Sequence, residues 1–205
     1  ACGGGAGAKR RRRGDVLRFL LKLLACLIVG TALGLAATWV AVTRLNFGTV
    51  SNGPWRMSLL TGSAQSGPYL RANIALHGLL ALNRSETVYY TADHDSAGEW
   101  LDGNCFYKIE GREPSARWWS ITAYGEDDYL MKNKYDLWSI SGETVQLKSD
   151  STFTITASKH RAPTNWIPIT QRRFSLTLRL YNPAPGVVDD PANAMVPVIK
   201  RSVCL

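Results

Sequence analysis

The apolar positions along the chain fall into three regimes. Residues 23–42 read Leu-Leu-Ala-Cys-Leu-Ile-Val-Gly-Thr-Ala-Leu-Gly-Leu-Ala-Ala-Thr-Trp-Val-Ala-Val without one ionisable group. At 1.5 Å rise per residue, such a run crosses a hydrocarbon core about 30 Å thick. Apolarity on every side predicts a transmembrane helix, because a helix resting on a soluble core shows only an apolar stripe. Over 69–82, Leu70, Ile74, Leu76, Leu79 and Leu80 are interspersed with Arg71, Asn73 and His77 after Pro68. That spacing predicts one amphipathic helix. From there the period is two, most plainly at 152–157 and 173–181, with further strands expected at 87–92, 105–110, 117–123, 144–148 and 196–200. Turn signals separate them at Asp102-Gly103, Gly111, Gly125, Ser141-Gly142 and 183–186.

These patterns predict a single N-terminal transmembrane α-helix plus a mainly-β sandwich, jelly-roll-like extramembrane domain with one amphipathic helix. The expected boundaries are a basic tail at 1–22, the spanning helix at 23–42, a connector at 43–67 and the β-rich domain at 68–205. The connector contains Gly48, Gly53, Pro54, Gly62 and Gly67. It is expected to run over the membrane surface and start no core. The β-rich stretch is long enough for one core without a second domain.

Charge orients this layout. Lys9, Arg10, Arg11, Arg12, Arg13, Arg18 and Lys22 precede the apolar run, and only Arg44 and Arg56 follow it over a similar distance. The positive-inside rule therefore leaves the N-terminus in the cytoplasm. Trp39 and Trp55 suit the opposite interface, where an indole keeps its ring apolar and its N–H wet. A signal peptide is the competing reading, since the tail is basic and Gly34-Leu35-Ala36 offers a small-x-small stretch. The length of the apolar run favours a retained segment, and Ala1 in place of Met reads as trimming of an initiator Met. The Arg-rich, Gly-rich tail is expected to be disordered unless something holds it, a hint of a larger assembly.

The formal charge of +8 suggests nucleic acid, yet 7 of the 24 basic residues lie at or before Lys22. The remaining 17 face 15 of the 16 acidic residues, so the outer domain carries only about +2. No nucleic-acid partner is expected. Lys9, Arg10, Arg11, Arg12 and Arg13 suit anionic lipid headgroups, at roughly 1 kcal/mol per basic residue near the surface. Cys2 and Cys26 fall in the tail and the membrane, leaving Cys105 and Cys204 as the pair an oxidising compartment would link. Two buried free thiols are the alternative.

Candidate chemistry is sparse. Nucleophile-elbow, zinc-helix, Walker and paired Cys-x-x-Cys patterns are absent, and only three histidines occur. No catalytic residue and no cofactor are expected. Asp93-His94-Asp95 is the best metal candidate, but an extended backbone sends 94 to the face opposite 93 and 95. A turn whose carboxylates cap backbone N–H groups competes with that reading. His77 and His160 have no sequence-visible partners. Trp118 and Trp119 are adjacent, so a strand points one indole inward and the other outward. Trp118, Trp119 and Trp166 are the candidate binding aromatics, and burial of all three in the core is the alternative. In the apolar run, Gly30, Gly34 and Thr38 form a small-residue ridge that permits close helix packing. The run has no His, Met, Asp or Glu to ligate a haem or relay a proton.

An ordered series of residues carries a family likeness: Tyr69, Arg71-Ala72, Glu86, Val88-Tyr89, Leu101-Asp102-Gly103, Tyr107, Trp119-Ser120, Thr122, Tyr124, Asn165-Trp166-Ile167-Pro168, Phe174 and Leu178-Arg179-Leu180-Tyr181. In these positions residues 66–185 resemble the bacterial domain of unknown function 1214. The resemblance implies a jelly-roll-like β domain and a bacterial source, and it implies no agreed activity. With that source the address becomes the inner membrane, N-terminus cytoplasmic and β domain periplasmic. The expected role is a non-catalytic accessory or assembly subunit of an inner-membrane complex, photosynthetic or respiratory, with membrane lipids and transmembrane proteins as partners. A periplasmic binding module for saccharide, lipid or peptide, and a periplasmic enzyme of unknown reaction, are the alternatives.

Overall fold

The computed structural model describes residues 5–44, 48–76 and 82–204, and the side chains of 5–14 and 44 fall outside the description. The chain divides into two compact units, residues 1–45 and residues 46–205.

The first unit is one helix, α1 (Gly5–Arg44). Its Asp15–Thr43 segment, 29 residues, is long and apolar enough to cross a membrane, reaching about 43 Å at 1.5 Å per residue. The expectation of a disordered tail gives way here, since the backbone is helical through the arginine run from Gly5. Arginine is a strong helix former, and a helix already nucleated by the apolar stretch extends at little cost.

The second unit contains, in chain order, β1 (Thr49–Asn52), β2 (Trp55–Ser58), α2 (Pro68–Leu76), β3 (Thr87–Ala92), β4 (Cys105–Arg112), β5 (Ala116–Gly125), β6 (Ser139–Ser141), β7 (Thr152–Ser158), β8 (Trp166–Pro168), β9 (Phe174–Pro183), α3 (Pro185–Asp189), a 3₁₀ turn (Pro191–Asn193) and β10 (Val198–Cys204). A six-stranded sheet runs β1-β2-β3-β9-β5-β6 and a four-stranded sheet runs β10-β4-β7-β8. All pairings are antiparallel except β7 with β8. The two inner faces share one core. Trp119 of β5 stacks on Phe153 of β7 with centroids 5.0 Å apart, and Tyr107 of β4 meets the edge of Phe174 of β9 at 5.7 Å.

Three expectations change. The 43–67 stretch holds the β1–β2 hairpin and adds Trp55 and Met57 to the core. Trp55 is fully buried, its Nε1 donating to the Pro197 carbonyl at 2.6 Å, so it is not at a membrane interface. The signal lay in the alternation Trp55, Met57 against Arg56, Ser58 behind an Asn52-Gly53 turn, too short to outweigh the surrounding glycines. Residues 144–148 are not a strand, because Gln146 pairs with a side chain: its N–H donates to Asn165 Oδ1 at 2.7 Å, and Asn165 Nδ2 donates back to its carbonyl at 2.8 Å. The expected amphipathic helix is described only as Pro68–Leu76, with Leu70 as its buried residue. His77, Leu79 and Leu80 lie outside the described residues.

Candidate functional site

Period-two alternation gives the six-stranded sheet its outer surface. In β9, Leu176, Leu178 and Leu180 enter the core, so Ser175, Thr177, Arg179 and Tyr181 face away from it. In β5, Trp119, Ile121 and Ala123 enter the core, which turns Trp118, Ser120, Thr122 and Tyr124 outward. The register aligns these in rows, Arg56 beside Thr91, Thr91 beside Thr177, and Thr177 beside Thr122. Short hydroxyl side chains thus floor the face, and arginine and aromatic side chains rise around them.

At one end of this face lies a groove of about 620 Å³ lined by Arg56, Asp93, Trp100, Glu126, Arg173 and Ser175, among others. Its walls are fixed by local hydrogen bonding. Asp95, almost wholly buried, accepts from the N–H groups of Ala97 and Glu99 at 3.0 Å and pairs with Arg201 Nε at 3.2 Å. That turn presents Trp100, whose carbonyl also accepts from Arg201 at 2.9 Å. Trp100 remains 53% exposed, with His94 against its ring at 4.0 Å between centroids and the Arg173 guanidinium 5.3 Å from the ring centre. Arg56 pairs with Asp93, whose other oxygen lies 2.6 Å from His94 Nδ1. Beneath Arg173, the Asn104 N–H donates to Asp102 at 2.9 Å and Arg172 lies 3.5 Å away, which together hold the Asp102 carboxyl below the usual carboxylate range.

The sequence candidates distribute as follows. Asp93 and Asp95 diverge, one to Arg56 and His94 and the other into its own turn, and among the described residues no group of three or more His, Cys, Asp or Glu could hold a metal ion. Trp118 faces outward against the edge of Tyr181 at 5.2 Å. Trp119 and Trp166 are buried, so neither offers a ring to a ligand; Trp166 Nε1 donates to the Ser158 carbonyl at 3.1 Å. Cys105 and Cys204 form a disulfide between β4 and β10. Gly30, Gly34 and Thr38 sit on α1, where a Cβ on either glycine would meet open space, and Lys9, Arg10, Arg11, Arg12 and Arg13 belong to its first turns. His160 stacks on Phe106 at 5.8 Å. Sequence reasoning missed Arg56, Arg173 and Arg179. The last was open to it, because Leu178-Arg179-Leu180-Tyr181 alternates and must send Arg179 to the face opposite the leucines.

A β-sandwich preceded by a membrane-length helix, with a polar groove on one sheet, defines the class. The model of the family described as protein of unknown function (DUF1214) matches residues 86–185, which run from just before β3 to the first residue of α3. The domain is similar to the crystal structure of the VPA0106 protein from Vibrio parahaemolyticus, with 25% identity, a TM-score of 0.57 and 66% of this chain covered. The chain spans 35% of that protein's length. A second solved structure, an uncharacterized protein from Burkholderia cenocepacia, is 14% identical with a TM-score of 0.43, covering 82% of this chain and 40% of that one. No curated protein matches the chain significantly.

Proposed function

We propose that the protein is a membrane-tethered, non-catalytic binding subunit that serves an assembly at the bacterial inner membrane. In this reading α1 is the anchor with its basic end in the cytoplasm, and the β domain works in the periplasm. The observation that carries the binding role is the groove with its half-exposed Trp100. An indole held by contacts with His94 and Arg173 loses little entropy on meeting a ligand ring. Arg56, Asp93 and Glu126 supply donors and acceptors around it, the pattern of a small polar-ligand site. Binding is favoured over catalysis because the groove's Arg56 and Asp93 are engaged with each other, and Asp93 with His94, in a fixed chain. Among the ligand classes open from the sequence, this combination of ring and hydrogen-bonding groups favours a saccharide.

The test is intrinsic tryptophan fluorescence of the full chain in detergent micelles, titrated with a panel of neutral and acidic mono- and disaccharides. At least one should give a saturable change that Trp100→Ala removes while far-UV circular dichroism stays the same. A response that persists in Trp100→Ala, or no saturable response across the panel, refutes the groove as the site.

A further inference from the structure

Arg179 lies in the middle of β9 and on the outer face of the six-stranded sheet, because its neighbours Leu178 and Leu180 are in the core. Its chain partner across β5 is Ser120, yet its head group does not stay there. Nη1 donates to Thr122 Oγ1 at 3.1 Å and Nη2 donates to the Tyr124 hydroxyl at 2.6 Å. The guanidinium carbon stands 5.3 Å from the Tyr124 ring centre. The side chain therefore runs along the sheet for two rows and delivers its charge beside Tyr124, whose register partner is Ser175 in the groove wall.

This guanidinium meets no carboxylate among the described residues, and both of its side-chain partners are neutral hydroxyls. A half-buried charge in such a position is costly unless an opposite charge completes it. The two hydrogen bonds use two of five N–H donors and fix the plane of the fork. A fork held rigid with donors to spare matches the geometry of a two-oxygen acceptor. The two arginines that line the groove differ, since Arg56 is paired with Asp93 and Arg173 lies over the Trp100 ring.

We propose that Arg179, held by Thr122 and Tyr124, receives an oxyanion, the carboxylate or phosphate of a ligand lying in the groove. The inference rests on the groove being the ligand site and names the chemistry of that ligand's charged end. An acidic saccharide carries such a group as a uronate or as a sugar phosphate.

The experiment uses the full chain in detergent micelles with ¹⁵N-labelled arginine. Inorganic phosphate, D-glucuronate and uncharged D-glucose are added in turn, with chloride holding the ionic strength constant. The Arg179 Nε–H signal, assigned by its loss in Arg179→Lys, should shift saturably with at least one oxyanion and not with glucose. Affinity followed by calorimetry should fall at least tenfold in Arg179→Lys and about threefold in Tyr124→Phe. Saturation by glucuronate alone assigns a carboxylate ligand, and saturation by phosphate alone assigns a phosphorylated one. If Arg179→Lys does not fold, Tyr124→Phe decides the matter by itself. An Arg179 signal unmoved by both oxyanions, or unchanged affinity in the variants, overturns the proposal. If the Trp100 indole still answers glucose in that case, the groove survives and only its anionic end is lost; silence at both residues removes both.

Discussion

A phenol carried into an apolar interior needs a partner for its hydroxyl, and Tyr90 finds one in the Pro191 carbonyl at 2.8 Å. The ring belongs to β3 and is wholly buried, so the contact ties the six-stranded sheet to the 3₁₀ turn before β10. Burial, with the nearby negative charge of Asp190 adding to it, pushes the Tyr90 hydroxyl up to about 12. The fold thus favours the neutral phenol. An unfolded tyrosine ionises near pH 10, so the stabilisation is complete below pH 10 and is lost as pH rises from 10 through about 12. Tyr90→Phe should cost about 1 kcal/mol near neutrality, because the Pro191 carbonyl loses its shorter hydrogen bond and keeps only Asn52 Nδ2 at 3.4 Å. In urea unfolding at a series of pH values, the gap between wild type and Tyr90→Phe should narrow above pH 10. A gap constant up to pH 12 would show that the hydroxyl does not carry the effect.

At the scale of elements, legibility followed length and amplitude. The strands at 152–158 and 174–183 alternate over seven and ten residues and could be read directly. The hairpin at 49–58 could not, because its two four-residue strands give only two inward positions each, and Asn52 and Trp55 take hydrogen-bond partners at Ala194 and Pro197, about 140 positions away. Nor could the sequence reveal that Asn165, at a positive φ of 45°, supplies from its side chain the pairing that 144–148 would otherwise seek from a strand. The same split governs the candidate site. Arg179 and Tyr124 were available from alternation, whereas the groove joins β2, β3, the Trp100 loop and β9 and exists only after pairing.

The disulfide was legible from compartment logic, and its consequence is local to β10. This strand pairs with β4 at the sheet edge and contributes Ile199 to the core, with its remaining residues exposed. A bond across a sequence separation of 99 removes about 4.7 kcal/mol of loop-closure entropy from the unfolded chain in the chain-entropy model. Cys204→Ser should therefore lower unfolding stability by several kcal/mol. Hydrogen exchange should quicken first in β10, while β5 and β9 keep their protection relative to global opening. Uniform loss of protection would mean that the bond holds the whole sandwich rather than its edge.

The whole molecule joins a strongly basic helix to a nearly neutral domain, and this asymmetry links orientation to oxidation state. The five cations Lys9, Arg10, Arg11, Arg12 and Arg13 precede the apolar segment closely enough to set its direction. A β domain delivered to an oxidising compartment closes Cys105–Cys204, whereas one left in the cytoplasm meets a thiol pool that keeps both reduced. In the proposed topology the oxidation state of this pair reports which side of the membrane the domain reaches. Alkylation of SDS-solubilised membranes without prior reduction should modify Cys2 and Cys26 of the full chain and spare Cys105 and Cys204. Replacing the five cations with glutamine weakens the retention of the tail on the cytoplasmic side. A fraction of chains should then invert and show all four cysteines as alkylated, read by intact mass. Full closure of the bond in the charge-stripped chain would mean that orientation is set elsewhere. Open thiols in the native chain would instead place the β domain on the reducing side and remove the periplasmic reading of its groove.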